Sequence, residues 1–382
     1  MKRIGTFFLA LTMAGAMVSC SSKSSSSDSN DQDKEFYGRG RTVGIALPTQ
    51  NLERWNRDGV FLKEQFEAVG CKVDLKYADN NKDKQVEDIQ SMIDEGVQLL
   101  LIAAVDKDNL SSTLDKAKEA GIPVVAYDRL IMNTDAITYY VSFDNYMVGA
   151  IQGEYIKEQL KLNETNNTYN VEFVGGDELD NNARFFFEGA YETLQSYIDS
   201  GKLNIVSGKN TFEQVTTPEW STDNARANMK QLLADKYSDG TTLDAVICAN
   251  DSTALGVTEA IQSDYSGTNH PIIVGQDGDV ENLKNIVDGY QDMTVFKNVN
   301  DQAKVTLEIC KLILSKETPS VSLLENLHVD VKYDTSTYNN GVKYIQSYLL
   351  APYAIDKKNL QSLVDTGIYK WDSNNKYLDI VK

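Results

Sequence analysis

Polar side chains suited to binding recur in this sequence directly after short apolar runs. TVGIAL leads into PTQNLERW, which carries Arg54 and Trp55; PVVAY leads into Asp128-Arg129, and VEFVGG into Asp177 and Asp180-Asn181-Asn182. AVICA precedes Asn250-Asp251, PIIVG precedes Gln276-Asp277, and MTVF precedes Lys297. Guanidinium, carboxylate and amide groups offer paired hydrogen-bonding atoms that match the hydroxyls of a sugar. An indole face packs against the C–H surface of a pyranose, so Arg54-Trp55 reads as a sugar platform. The plainer reading is a helix-start residue beside a core aromatic. Trp220, in TTPEWSTDNA, is either a structural cap or a second stacking wall. Asp128-Arg129 can form a simple loop ion pair, yet a buried strand would deliver both to the mouth of a sheet. Asp277 or Asp279 can instead serve as a helix N-cap, and Lys297 can be a solvated strand end. Together, charges of both signs, amides and two large aromatics describe a site for a neutral ligand.

Catalytic chemistry finds little support. There is no G-x-x-x-x-G-K-[ST] loop, no G-x-S-x-G elbow and no H-E-x-x-H. Gly175-Gly176 lacks the spacing of a dinucleotide fingerprint. With 56 Asp and Glu residues, no carboxylate pair stands out as a glycosidase acid and base. His270 and His328 are the only histidines, and no His/Cys cluster has zinc-site spacing. No catalytic residue, metal or cofactor is expected. The net charge of −19 argues against nucleic acid and against adhesion to anionic lipid; a soluble acidic surface is the simplest reading.

The N-terminus indicates the compartment. Lys2 and Arg3 precede an apolar run, Ile4 to Val18, with the length and flanks of a secretory signal and too short to span a bilayer comfortably. It ends in Ser19-Cys20, which resembles a bacterial lipobox, so residues 1–19 read as a signal peptide and Cys20 as a lipidated N-terminus. SSKSSSSDSNDQDK follows without an apolar residue, so residues 20–40 read as a flexible tether. Cys71, Cys248 and Cys310 remain, an odd number; buried thiols are preferred to a Cys71–Cys310 bridge.

The elements that must position these residues follow from apolar periodicity. TVGIAL, KVDLKY, LLLIAA (Leu99–Ala104) and PVVAY (Pro123–Tyr127) read as strands. Helices over Trp55–Val69, around Val86–Ile93 and up to Ala120 separate them, with Gly96 and Gly121 where helices should stop. The pattern restarts with a helix near Gly149–Leu160, then NVEFVG, a helix through Phe186–Tyr197, NIVSG and a helix through Asn224–Leu233. AVICA, a helix from Thr253, PIIVG and MTVFK complete it. Two successive series of β-α-β units predict two Rossmann-like lobes, each a parallel sheet flanked by helices, with ligands at the carboxyl ends of the strands. The length after the tether also suits two domains rather than one.

At these residues the sequence resembles the xylose-binding and multiple-sugar-binding branch of type I periplasmic binding proteins, the sugar receptors of ABC transporters. The matching stretches run in order: LERW, AYDRLI, SFDN, DNNA, PEW, ANDSTA, GQD, TVFK, NNGVK and SYLLAP. The resemblance implies a ligand set of Arg54, Trp55, Asp128, Arg129, Asn182, Trp220, Asn250, Asp277 and Lys297, with Asn181 beside Asn182 as a further candidate. It also implies a three-segment hinge near Asn145, Asn298 and Ser347. That divides the chain into 41–145 plus 299–346 in the first lobe and 146–298 plus 347–382 in the second. The implied function is non-enzymatic: a monomer binds a monosaccharide, closes by hinge motion and delivers it to an ABC transporter permease. The alternatives are a receptor presenting the sugar to a sensor kinase or chemoreceptor, and an enzyme of the same lobe architecture. LERW with DRLI leans toward xylose or glucose-like pyranoses. The stretch Ser315–Thr337 is longer than the family pattern, and the Cys20 anchor replaces free diffusion.

Overall fold

A computed structural model of the protein describes residues 39–381, so the expected signal peptide, the Cys20 site and residues 20–38 of the tether lie outside the described residues. The chain begins with β1 (Thr42–Leu47), α1 (Glu53–Ala68), β2 (Lys72–Tyr77), α2 (Lys82–Asp94), β3 (Leu99–Ile102), α3 (Ser111–Glu119), β4 (Val124–Tyr127) and β5 (Ile137–Phe143). It continues with α4 (Asn145–Gln159), β6 (Tyr169–Val174), α5 (Asn181–Asp199), β7 (Leu203–Asn204), α6 (Phe212–Val215) and α7 (Thr222–Lys236). Then come β8 (Ala245–Cys248), α8 (Asp251–Asp264), β9 (Ile272–Gln276), α9 (Val280–Asp288) and β10 (Met293–Phe296). The remainder is α10 (Val299–Leu314), α11 (Ser322–Glu325), β11 (Val331–Asp334), β12 (Ser347–Leu350), β13 (Tyr353–Asp356), α12 (Gln361–Asp365), β14 (Tyr369–Trp371) and β15 (Leu378–Ile380).

The first lobe is built on a sheet of order β11-β12-β5-β4-β3-β1-β2, and the second on β13-β10-β9-β8-β6-β7. Alternate strand residues serve opposite cores. Val43, Ile45, Leu47, Leu99 and Leu101 pack with Leu62 and Phe66 of α1 and with Val305 and Ile309 of α10. Ala46, Leu100, Ile102, Val124 and Ala126 pack with Ile89 and Met92 of α2 and with Leu114 and Ala117 of α3. This double coverage is why the strands read as nearly continuous apolar runs. In the second lobe, Val171, Phe173, Ala245 and Ile247 meet α4 and α5 on one face. Val246, Cys248 and Ile273 meet α7 and α8 on the other. Helices α4 and α5 approach backbone to backbone: a Cβ on Gly149 would sit 2.0 Å from the Phe186 carbonyl oxygen. Cys71, Cys248 and Cys310 are thiols, all buried.

Several expectations need adjustment. Strand β5 was not among those expected, because Thr138, Tyr139, Tyr140 and Ser142 interrupt its apolar run; the two tyrosines and the serine are nevertheless buried. Helices α4 and α5 start earlier than their apolar periodicity suggests, and α10 begins at Val299 where a helix around Val305–Leu314 is expected. The side chains of Asp144, Asp180 and Asn298 cap them by accepting bonds from Met147 N, Asn182 N and Asp301 N. Of NIVSG, only Asn204 belongs to a strand. Ser347–Leu350 pairs with β5 in the first sheet, so the last crossing falls after Leu350 rather than at 347. Both sheets also carry an antiparallel edge strand. The longer stretch Ser315–Thr337 supplies α11 and β11, and β11 folds back antiparallel on β12. Strand β12 runs parallel to β5, crosses at Ala351-Pro352, and its continuation β13 therefore runs opposite to β10.

Candidate functional site

The carboxyl ends of the two sheets and the first turn of α1 meet around one cavity. Arg54, Trp55, Asp128, Arg129, Asn182, Trp220, Asn250, Asp277 and Lys297 all line it, nine of the ten side chains singled out from the sequence. Asn181 does not. It is the first residue of α5 and only half-buried, and successive helix residues point about 100° apart, so Asn182 takes the inward direction. Leu52, Asp180, Phe186, Ser252, Gln276 and Asp279 complete the lining.

The first-lobe wall is an ion-paired assembly. Arg54 donates through Nε to Asp58 Oδ2 at 3.1 Å, through Nη2 to Asp128 Oδ1, and through Nη2 to Gln302 Oε1 at 3.3 Å. Tyr127 Oη donates to Asp58 Oδ1 at 2.7 Å. Burial pushes the Asp58 carboxyl up against the opposing pull of Arg54. Burial also pushes on Asp128, but Arg54, Lys297 and Arg129 outweigh it and hold that carboxyl below the usual range. Arg129 donates through Nη1 to the Ala104 carbonyl at 2.9 Å and pairs with Asp180 Oδ2 at 2.8 Å. The guanidiniums of Arg54 and Arg129 lie 4.9 and 5.2 Å from the Trp55 ring centroid, which fixes that ring.

The Asp128 turn is anchored from both lobes. Its carbonyl accepts bonds from Tyr140 Oη, Ser142 Oγ and, from α5 of the second lobe, Asn182 Nδ2, each at 2.8 Å. Asn182 Oδ1 accepts from Asn145 Nδ2 at 2.9 Å. Asn182 is thus an interlobe tie as well as a lining residue.

In the second lobe, Lys297 Nζ sits 2.9 Å from Asp277 Oδ1 and 5.5 Å from the Phe186 ring centroid. Arg54 Nη1 reaches the same Asp277 oxygen from the first lobe at 3.8 Å. Asn250 caps α8, its side chain accepting from Thr253 N at 3.0 Å; this use of Oδ1 leaves the amide NH2 as its remaining donor. Asp279 occupies the N-cap position of α9 yet makes no capping bond through its side chain. The loop amides of Gly278 and Asp279 instead donate to buried Asp251 Oδ2, both at 2.9 Å. The Trp220 ring lies against Gly176, meets Phe186 at 63° and 6.2 Å, and has a buried Nε1 without an acceptor among the described residues. Gln276 Oε1 is likewise buried without a donor there.

Asp128, Trp220 and Asp277 have φ of +61°, +57° and +110°. Side-chain-bearing residues held in such conformations cost about 1–3 kcal/mol each and cluster where binding sites fix a geometry. Cations Arg54, Arg129 and Lys297 face carboxylates Asp128, Asp180, Asp277 and Asp279, a near balance that suits a neutral molecule.

Sequence reasoning did not single out Asp58, Gln302 or Gly176 as functional. The four-residue spacing from Arg54 to Asp58 on a helix is a readable pairing signal. Gln302 is 248 residues from Arg54 and carries no local one.

Comparison with known proteins identifies the family and agrees with the fold. Residues 43–318 match the periplasmic binding protein domain. The chain is 40% identical over 335 residues to the multiple sugar-binding periplasmic receptor ChvE of Rhizobium radiobacter, covering 87% of this chain and 91% of that one. It is 32% identical to the D-xylose-binding periplasmic protein of Escherichia coli, covering 86% and 91%. Among solved structures, an ABC transporter solute binding protein from Clostridium phytofermentans with bound β-D-glucose superposes with a TM-score of 0.81 at 44% identity. That match covers 88% of this chain and 99% of the other.

Proposed function

The chain belongs to the periplasmic binding protein family, and from that premise we propose that it binds a glucose- or xylose-like pyranose between its lobes and delivers it to an ABC transporter permease. The observation that carries this reading is the convergence of nine chemically matched side chains from both lobes on one cavity. Asp128 and Arg129 hold ring hydroxyls from the first lobe, while Asn250, Asp277 and Lys297 do so from the second. Arg54 bridges toward Asp277, Asn182 ties the two walls, and Trp55 and Trp220 pack on the C–H surface. Trp220 Nε1 and Gln276 Oε1 are a buried donor and acceptor that a polyhydroxy ligand would satisfy. The relatives named for multiple sugars and D-xylose, and the neighbour holding β-D-glucose, support a pyranose.

Sugar binding stabilises the closed arrangement, because only there do both walls reach the ligand. The closed form is what a permease would recognise. The protein works outside the cytoplasm as a monomer, tethered through lipid on Cys20, and catalyses no reaction; Ser19-Cys20 and the polar run after it support the tether. A thermal-shift screen against xylose, glucose, arabinose, galactose and ribose tests the reading, since a ligand of the folded state raises the melting temperature by mass action. A rise with glucose or xylose is expected. No rise with any of the five would remove the pyranose assignment.

A further inference from the structure

Beside the cavity, the first two turns of α1 grip the start of α9 across the two lobes. Arg57 Nη2 donates to the Asp277 carbonyl at 2.9 Å, and Nη1 to the Gly278 carbonyl at 3.2 Å and to Tyr369 Oη at 3.1 Å. The same guanidinium pairs with Asp279 Oδ1 at 3.4 Å and with Glu53 Oε1 at 3.1 Å. Glu53, one helical turn earlier, accepts from Val280 N through both carboxylate oxygens at 3.3 Å. Val280 opens α9, whose own N-cap residue makes no side-chain capping bond. A carboxylate of the first lobe therefore caps a helix of the second, where the helix dipole favours negative charge.

These contacts exist only while the lobes are together, and neither Arg57 nor Glu53 lines the cavity. We propose that Glu53 and Arg57 form an interlobe clasp: positioning residues that set ligand affinity by stabilising closure, without reading the ligand. The clasp acts on the Asp277–Asp279 loop, so it also holds the Asp277 carboxylate opposite Arg54. When the lobes part, Asp279 loses Arg57 and becomes able to cap α9 itself, which offsets the loss of Glu53 and keeps the open form accessible. The affinity aspect rests on the sugar-binding reading; the closure aspect does not.

The test uses Arg57→Gln, Arg57→Lys and Glu53→Gln in the full chain, each measured by calorimetry with D-glucose and D-xylose and by small-angle scattering with and without sugar. Arg57→Gln should weaken both sugars by about 10- to 100-fold, the range expected for losing charge-assisted hydrogen bonds, with their ranking unchanged. Its radius of gyration without sugar should exceed that of the wild type. Arg57→Lys, which keeps the charge but loses the two-pronged fork, should fall between, and Glu53→Gln should weaken binding less. An unchanged radius of gyration in Arg57→Gln overturns the clasp, as does an altered sugar ranking or unchanged affinity. Absence of heat in the wild type would instead remove the sugar reading, and the scattering comparison would still decide the clasp.

Discussion

Trp220 lies so close over Gly176 that a Cβ on the glycine would stand 2.1 Å from the indole Cη2 and 2.3 Å from Cζ3. The glycine thereby sets the tilt of the aromatic wall. Trp220 is itself held in a left-handed turn, with φ +57°, and its ring meets Phe186 at 63° with centroids 6.2 Å apart.

Gly176→Ala should consequently act on binding through Trp220. Overpacking of this kind costs about 1–3 kcal/mol, and the displaced ring would weaken sugar affinity as well. Denaturant unfolding and calorimetry on the same sample would measure both effects. Unchanged stability together with unchanged affinity would show that the indole can shift without consequence.

Asp128 gives the site a pH signature. Its carboxyl titrates near 3.8 in the unfolded chain; burial would raise it in the folded protein, but Arg54, Lys297 and Arg129 together bring it lower. The stabilisation from this group is complete above 3.8 and is lost as pH falls through the lower folded-state value. Asp128→Asn removes the titrating group, so the gap in melting temperature between wild type and variant should be widest above pH 3.8 and should shrink below it. A gap that is constant from neutral pH to pH 2.5 would contradict the assignment of charge to Asp128.

Much of this arrangement was legible in the sequence because strands buried on both faces leave continuous apolar runs, and the residue just past each run is delivered to the sheet mouth. That logic located Asp128, Arg129, Asn250, Asp277 and Lys297 before any geometry. It missed β5, where Tyr139, Tyr140 and Ser142 are buried by neighbours distant in sequence. It left open the choice between Asn181 and Asn182, which depends on where Asp180 starts the helix. The grip of Arg57 on the Asp277 carbonyl spans 220 residues and involves a backbone atom, so no side-chain motif announces it. The direction of β13 was hidden for a topological reason: it depends on which end of the sheet the chain leaves.

The central claim is a sugar held between the lobes with Trp220 as one wall, and calorimetric titration of D-glucose and D-xylose into wild type and Trp220→Ala tests it most directly. The ring lines the cavity and packs on Phe186 rather than holding any strand pairing, so the variant should fold. Saturable binding by the wild type is predicted, weakened about tenfold or more in the variant, on the scale of losing one packed aromatic contact. Equal affinity in the two proteins, or no binding of either sugar by the wild type, would contradict the account.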